Sequence, residues 1–177
     1  MSFTRRQAIA GAAAAGAALA VPGLARASAS EDDAAKAALG SVLAVEQIAL
    51  VAYEAIANSG LLKDTLRGFL DQERQHVAQL QAALQAMGAN PPIPPRRTGI
   101  RGLRAAVGSR RAALRFAIGL EQQAIAAYET AIGALTDSNV MRTSAGAMGT
   151  DAQQLVILRE LAGLPPVPGA FEKGLSH

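Results

Sequence analysis

Glu46 and Tyr53 stand seven residues apart in the stretch VEQIALVAYEAI, and Glu121 and Tyr128 repeat that spacing in LEQQAIAAYETA. Seven residues make about two helical turns, so in a helix each glutamate and its tyrosine project from one face. Glu73 precedes His76 by three positions and Asp151 precedes Gln154 by three, again one face of one turn. Carboxylates and an imidazole gathered on apolar faces are the donor set of a hard or borderline divalent metal. The chain contains no cysteine, which removes disulfides, thiolate metal sites, iron–sulfur clusters, cysteine nucleophiles and a lipid-modified cysteine anchor. Any metal must therefore be held by oxygen and imidazole nitrogen.

The elements that must position these groups read as helices. Alanine and leucine dominate, aromatics make up 3% of the 177 residues, and β-branched runs are few, which favours close-packed helices over sheet. Ser30, followed by Glu31, Asp32 and Asp33, predicts a helix N-terminus. That helix runs to about Asn58, where Asn-Ser-Gly stops it. A second helix covers Leu61 to Met87 and ends at GANPPIPP. A third starts near Ser109 and runs to Leu135, and a fourth covers Ser138 to Ala162 before GLPPVPG. The turns inside each pair are short and the connection between the pairs is long, so the fold expected is an all-α four-helix bundle of two antiparallel hairpins joined by a long crossover. The halves also match each other in pattern, which a duplication explains.

The core stripe of each helix, read at steps of three and four, is apolar at both ends and polar in its middle. It runs Leu39, Val42, Glu46, Ala49, Tyr53, Ile56 in the first helix and Leu62, Leu66, Phe69, Glu73, His76, Leu80, Leu84 in the second. The third gives Leu114, Ala117, Glu121, Ala124, Tyr128, Ala131, Leu135 and the fourth Val140, Ser144, Ala147, Asp151, Gln154, Leu158, Leu161. At a rise of about 1.5 Å per residue, Glu46 and Glu73 both lie about 20 Å from the turn at Gly60. Glu121 and Asp151 are similarly level about the turn at Asp137. Four carboxylates, an imidazole and an amide are thus expected in one layer. Burying them unpaired would cost several kcal/mol each, and two divalent cations would balance the four negative charges. Oxygen ligands with one imidazole suit iron or manganese, and zinc is also compatible.

These residues resemble the ferritin-like superfamily, in the pattern of exported bacterial proteins related to rubrerythrin-type di-iron carboxylate bundles, over residues 31 to 165. The family pattern is one glutamate from each of two helices and Glu-x-x-His from each of the other two. The resemblance implies Glu46 and Glu121 as the single glutamates, Glu73 with His76 as the first Glu-x-x-His, and Asp151 with Gln154 in place of the second. It also implies that Tyr53 and Tyr128 hydrogen-bond carboxylate ligands. The chain departs from the pattern at Asp151, one methylene shorter than glutamate, and at Gln154, an amide where histidine belongs. One ion, two, or a relic layer of shared protons all remain open.

Simpler readings stand beside these. Glu73 with His76 alone would be an ordinary surface pair, and the two tyrosines alone would be core filling. Glu54 and Glu129 lie about 80° round from the single glutamates and read as solvated partners of basic side chains. Seven arginines, at 96, 97, 101, 104, 110, 111 and 115, fall between Glu73 and Glu121 without an acid. This basic crossover reads as a solvated linker, with docking on an anionic partner or envelope surface as the alternative.

Residues 1 to 27 read as an export signal. Arg5 and Arg6 precede an Ala/Gly-rich apolar run, and Ala25-Arg26-Ala27 offers a cleavage site. The segment resembles a twin-arginine signal, which would send the chain through Tat or Sec machinery to the periplasm or cell envelope. Without Arg5, Arg6 and Arg26 the 17 basic residues fall to 14, equal to the 14 acids, and overall charge gives nucleic-acid binding no support. The organisation expected is signal 1–27, bundle 28–165 and tail 166–177. The function expected is an exported protein binding one or two iron or manganese ions, with an oxidase, peroxide-handling or metal-holding role and homo-oligomers open. The alternative is a structural or partner-binding bundle with a decayed site.

Overall fold

The computed structural model describes residues 22–169, and within them five helices and no strands. Helix α1 spans Pro22–Asn58, α2 Lys63–Ala86, α3 Leu103–Ala106, α4 Arg110–Ala134 and α5 Ser138–Leu161. The four long helices form the bundle, α1 packing on α2 and α4, and α4 on α5. Ser109 caps α4 by accepting from the Ala112 amide at 3.2 Å, and Asp137 caps α5 by accepting from the amides of Asn139 and Val140 at 2.8 and 2.9 Å. Gly60, at φ 83, stops α1 and starts the return into α2.

The start of α1 is a correction. Ser30 is not a cap, because the helix extends back to Pro22, whose fixed φ suits the first helical position. The expected signal segment lies outside the described residues up to position 21. Its last six residues, with Ala25-Arg26-Ala27, are continuous with α1. Over Ser30–Asn58 that helix has the length and apolarity of a membrane span, yet Leu39, Val42, Leu43, Ala52 and Ile56 are fully buried in the bundle. The tail beyond Gly169, including His177, also lies outside the described residues.

The crossover is the second correction. It is not wholly a solvated linker: a 3-10 turn at Arg97–Gly99 is followed by α3, which packs on α4 and buries Leu103 and Ala106. Gln47, buried in α1, donates from Nε2 to the Pro92 carbonyl at 2.9 Å and pins the start of the crossover to the bundle. The connection returns along the bundle, so α4 begins beside the α1–α2 turn.

Two apolar clusters fill the interior. One joins Ile56, Leu66, Leu114, Ala117, Leu155 and Leu158 at the α1–α2 turn end. The other joins Leu39, Val42, Leu84, Ala131 and Leu135 at the opposite end. The expected stripes are buried apart from Val140, which is half-buried, and Leu161, which is 37% exposed. Among the adjacent pairs of long helices, α2 and α5 approach each other least.

Candidate metal centre

Between the two apolar clusters lies a polar layer. It contains Glu46 from α1, Glu73 and His76 from α2, Glu121 from α4, and Asp151 and Gln154 from α5, none more than 7% exposed. One ligand atom from each of Glu46, Glu73, His76 and Asp151 lies within 4.8 Å of the other three. His76 Nδ1 stands 3.4 Å from Asp151 Oδ1, 3.5 Å from Glu46 Oε1 and 3.9 Å from Glu73 Oε2. Three carboxylates from three helices therefore face one imidazole nitrogen.

Most of these atoms have no hydrogen-bond partner. Both carboxylate oxygens of Glu46 and of Asp151, Glu73 Oε2 and His76 Nδ1 are buried and unbonded. Leaving one buried polar atom unsatisfied costs about 1–3 kcal/mol. An oxygen-rich donor set with one imidazole could hold a divalent transition metal.

The electrostatics are those of crowded acids. Burial, reinforced by the charge of Glu46, pushes Glu73 up to about 12. Burial, with Glu46 and Glu121, pushes Asp151 up to about 10. Burial also lifts Glu121 to about 8 against the opposing Tyr53 hydrogen bond. Glu46 goes the other way: burial raises it, but His76 and Glu73 close beside it outweigh burial and hold it below the ordinary carboxylate range. Glu46 is thus the ionised member, and Glu73 and Asp151 keep protons that a cation would displace.

Glu121 stands outside the four-residue set. Its Oε1 accepts from the hydroxyl of Tyr53, a residue of the other hairpin. Tyr128 lies fully buried near Glu46, whose charge helps burial raise its phenol, but its hydroxyl lacks a well-formed hydrogen bond. Gln154 enters the layer through its nitrogen: Nε2 donates to Glu73 Oε1 at 2.9 Å and to Gln72 Oε1 at 3.2 Å. That bond steadies Glu73, and the amide oxygen of Gln154 is itself buried without a hydrogen-bond partner. Glu54 pairs with Arg74 at 3.3 Å on the surface, and Glu129 is exposed.

Sequence reasoning missed Gln47 and Gln72. Gln47 follows Glu46 in the repeated Glu-Gln pair, a signal that was available; Gln72 carries no pattern of its own.

Access to the layer runs along the loose α2–α5 seam. A cavity of about 370 Å³ lined by His76, Tyr128, Leu80, Ala83, Val140 and Ala147 opens there. A second, of about 460 Å³, meets His76 among Gln72, Gln75, Gln79, Thr143 and Thr150. Among the described residues the lining carries no acid, lysine or arginine, and His76 is the member of the centre that both cavities reach.

Comparison with known proteins agrees with this architecture. A family model described as a ferritin-like domain matches residues 43–164, a span that holds all six residues of the layer and both tyrosines. The crystal structure of a conserved hypothetical protein from Mycobacterium tuberculosis is similar, with TM-score 0.66 and 22% identity over 80% of this chain and 99% of that chain. At that identity the likeness speaks to the fold. A comparison with curated proteins finds no match in sequence.

Proposed function

The chain belongs to the ferritin-like domain family, and from that premise we propose that it holds one divalent ion, iron or manganese, between Glu46, Glu73, His76 and Asp151. The observation that carries this is the set of six unbonded buried ligand atoms on those residues. Glu121, held by Tyr53, and Gln154, bonded to Glu73, would border a second and weaker position. A bound iron or manganese ion would supply electron exchange with oxygen or peroxide.

The protein's own residues set the conditions for that chemistry. Tyr53 positions Glu121, Gln154 positions Glu73, and the two apolar clusters exclude water from above and below the layer. Glu73 and Asp151 give up protons as the ion arrives, so affinity rises with pH. The α2–α5 seam, whose described lining carries no acid, lysine or arginine, suits small uncharged oxidants better than anions. We propose also that residues 1–27 direct export, which a cell fractionation separating precursor from shortened chain would test.

The proposal is tested by melting the chelator-treated protein with and without Fe(II) or Mn(II). A ligand that binds the native state must raise the melting temperature. A rise of several degrees, absent in His76→Ala, is expected. No rise with either ion would leave a structural bundle whose layer is held by shared protons.

A further inference from the structure

The arginines of the crossover converge on one end of the bundle. Arg101 and Arg104 belong to α3 and its approach, and Arg110, Arg111 and Arg115 to the first turns of α4. All five are exposed, and none makes an ion pair or side-chain hydrogen bond among the described residues. Arg110 and Arg111 sit in a helix first turn that carries no acid, the end at which the helix dipole disfavours a cation. An external anion there would satisfy both the dipole and the guanidinium groups.

The same end exposes apolar surface. A cavity of about 520 Å³ is lined by Arg110, Arg111 and Arg115 together with Leu114, Leu161 and Leu164. Leu161 and Leu164 are 37% and 48% exposed, and Val167 beyond them is 68% exposed. No acid is among the described residues that line this cavity. Glu31, Asp32 and Asp33 lie exposed on the N-terminal half of α1, roughly 35–40 Å away along the helix. Exposed Asp64 in the first turn of α2 and Glu160 beside Leu161 share this end, so the cationic and apolar surface is a local patch centred on Arg110, Arg111 and Arg115.

Guanidinium groups beside leucines match an anionic head group over acyl chains. Nucleic acid fits less well, because no aromatic side chain is among the described residues that line this cavity. We propose that this patch docks on an anionic phospholipid surface, with the arginines at head-group level and Leu161 and Leu164 at the acyl boundary. This holds whether or not the polar layer takes a metal.

The test is flotation of the full chain with phosphatidylcholine–phosphatidylglycerol vesicles and with pure phosphatidylcholine vesicles. Each basic side chain near an anionic surface contributes roughly five-fold, so changing Arg110, Arg111 and Arg115 to Gln should weaken binding to the anionic vesicles roughly 100-fold. Changing the three to Lys keeps the charge and should retain most binding. Leu161→Ser with Leu164→Ser should weaken binding several-fold while leaving its salt dependence intact. All three variants alter exposed residues, and their far-UV circular dichroism should match the parent. Equal binding to both vesicle types, or equal binding by parent and the Gln variant, overturns the proposal. Arginine-dependent binding to duplex DNA or polyglutamate without binding to anionic vesicles also overturns it.

Discussion

Removing metal should make the protein less stable as pH rises, opposite to the usual carboxylate behaviour. The perturbation is titration of the chelator-treated chain from pH 5 to pH 7. In the unfolded chain Glu73 and Asp151 titrate near pH 4. In the folded chain they are pushed up to about 12 and about 10 by burial and by Glu46. Between those limits the folded state holds about two more protons than the unfolded state, so the slope of unfolding free energy against pH is negative. Stability is fully present below the unfolded pKa and is lost as pH climbs toward the folded values. Two protons correspond to a loss of a few kcal/mol per pH unit, or several kcal/mol over the two units. Glu121, raised to about 8, adds in the same direction. Glu46, held low, contributes the opposite sign only below the ordinary carboxylate range. Urea unfolding at pH 5, 6 and 7 reads the slope directly, and saturating Mn(II) should flatten or reverse it because the cation replaces the protons. A metal-free stability that stays level or rises from pH 5 to 7 would refute the crowded-acid description of the layer.

Three further outcomes follow from the geometry. Tyr53→Phe removes the donor to Glu121 and should cost about 1–3 kcal/mol in urea unfolding, because it strands a buried carboxyl oxygen. Gln154→His restores the second imidazole of the family pattern and should raise metal bound per chain from one towards two on titration with Fe(II). Ala147→Phe fills the seam beside His76 and should slow metal loading several-fold in stopped-flow while leaving the final amount bound unchanged.

The sequence made the layer legible because its signals were periodic. Glu46, Glu73, Glu121 and Asp151 interrupt apolar stripes at matched heights, and a bundle leaves one place for such interruptions to meet. The arrangement within the layer was not legible. Tyr53 bonds Glu121 across 68 positions, and Gln154 turns its nitrogen to Glu73; both depend on side-chain rotation, which spacing does not encode. Helix α3 escaped because four residues, Leu103 to Ala106, are too few to show a period between Gly102 and Gly108. The start of α1 was misplaced because Ser30 and its acids look like a cap, while the Ala-rich residues before them sustain a helix equally well.

The central claim rests on whether the layer holds metal in the native protein. Mass spectrometric metal analysis of untagged protein, purified without chelator and again after reconstitution with Fe(II) or Mn(II), measures it directly. The account predicts close to one ion per chain, lost in His76→Ala, from the four-residue donor set. Less than about 0.1 ion per chain after reconstitution, under conditions where such a donor set should be saturated, would contradict it.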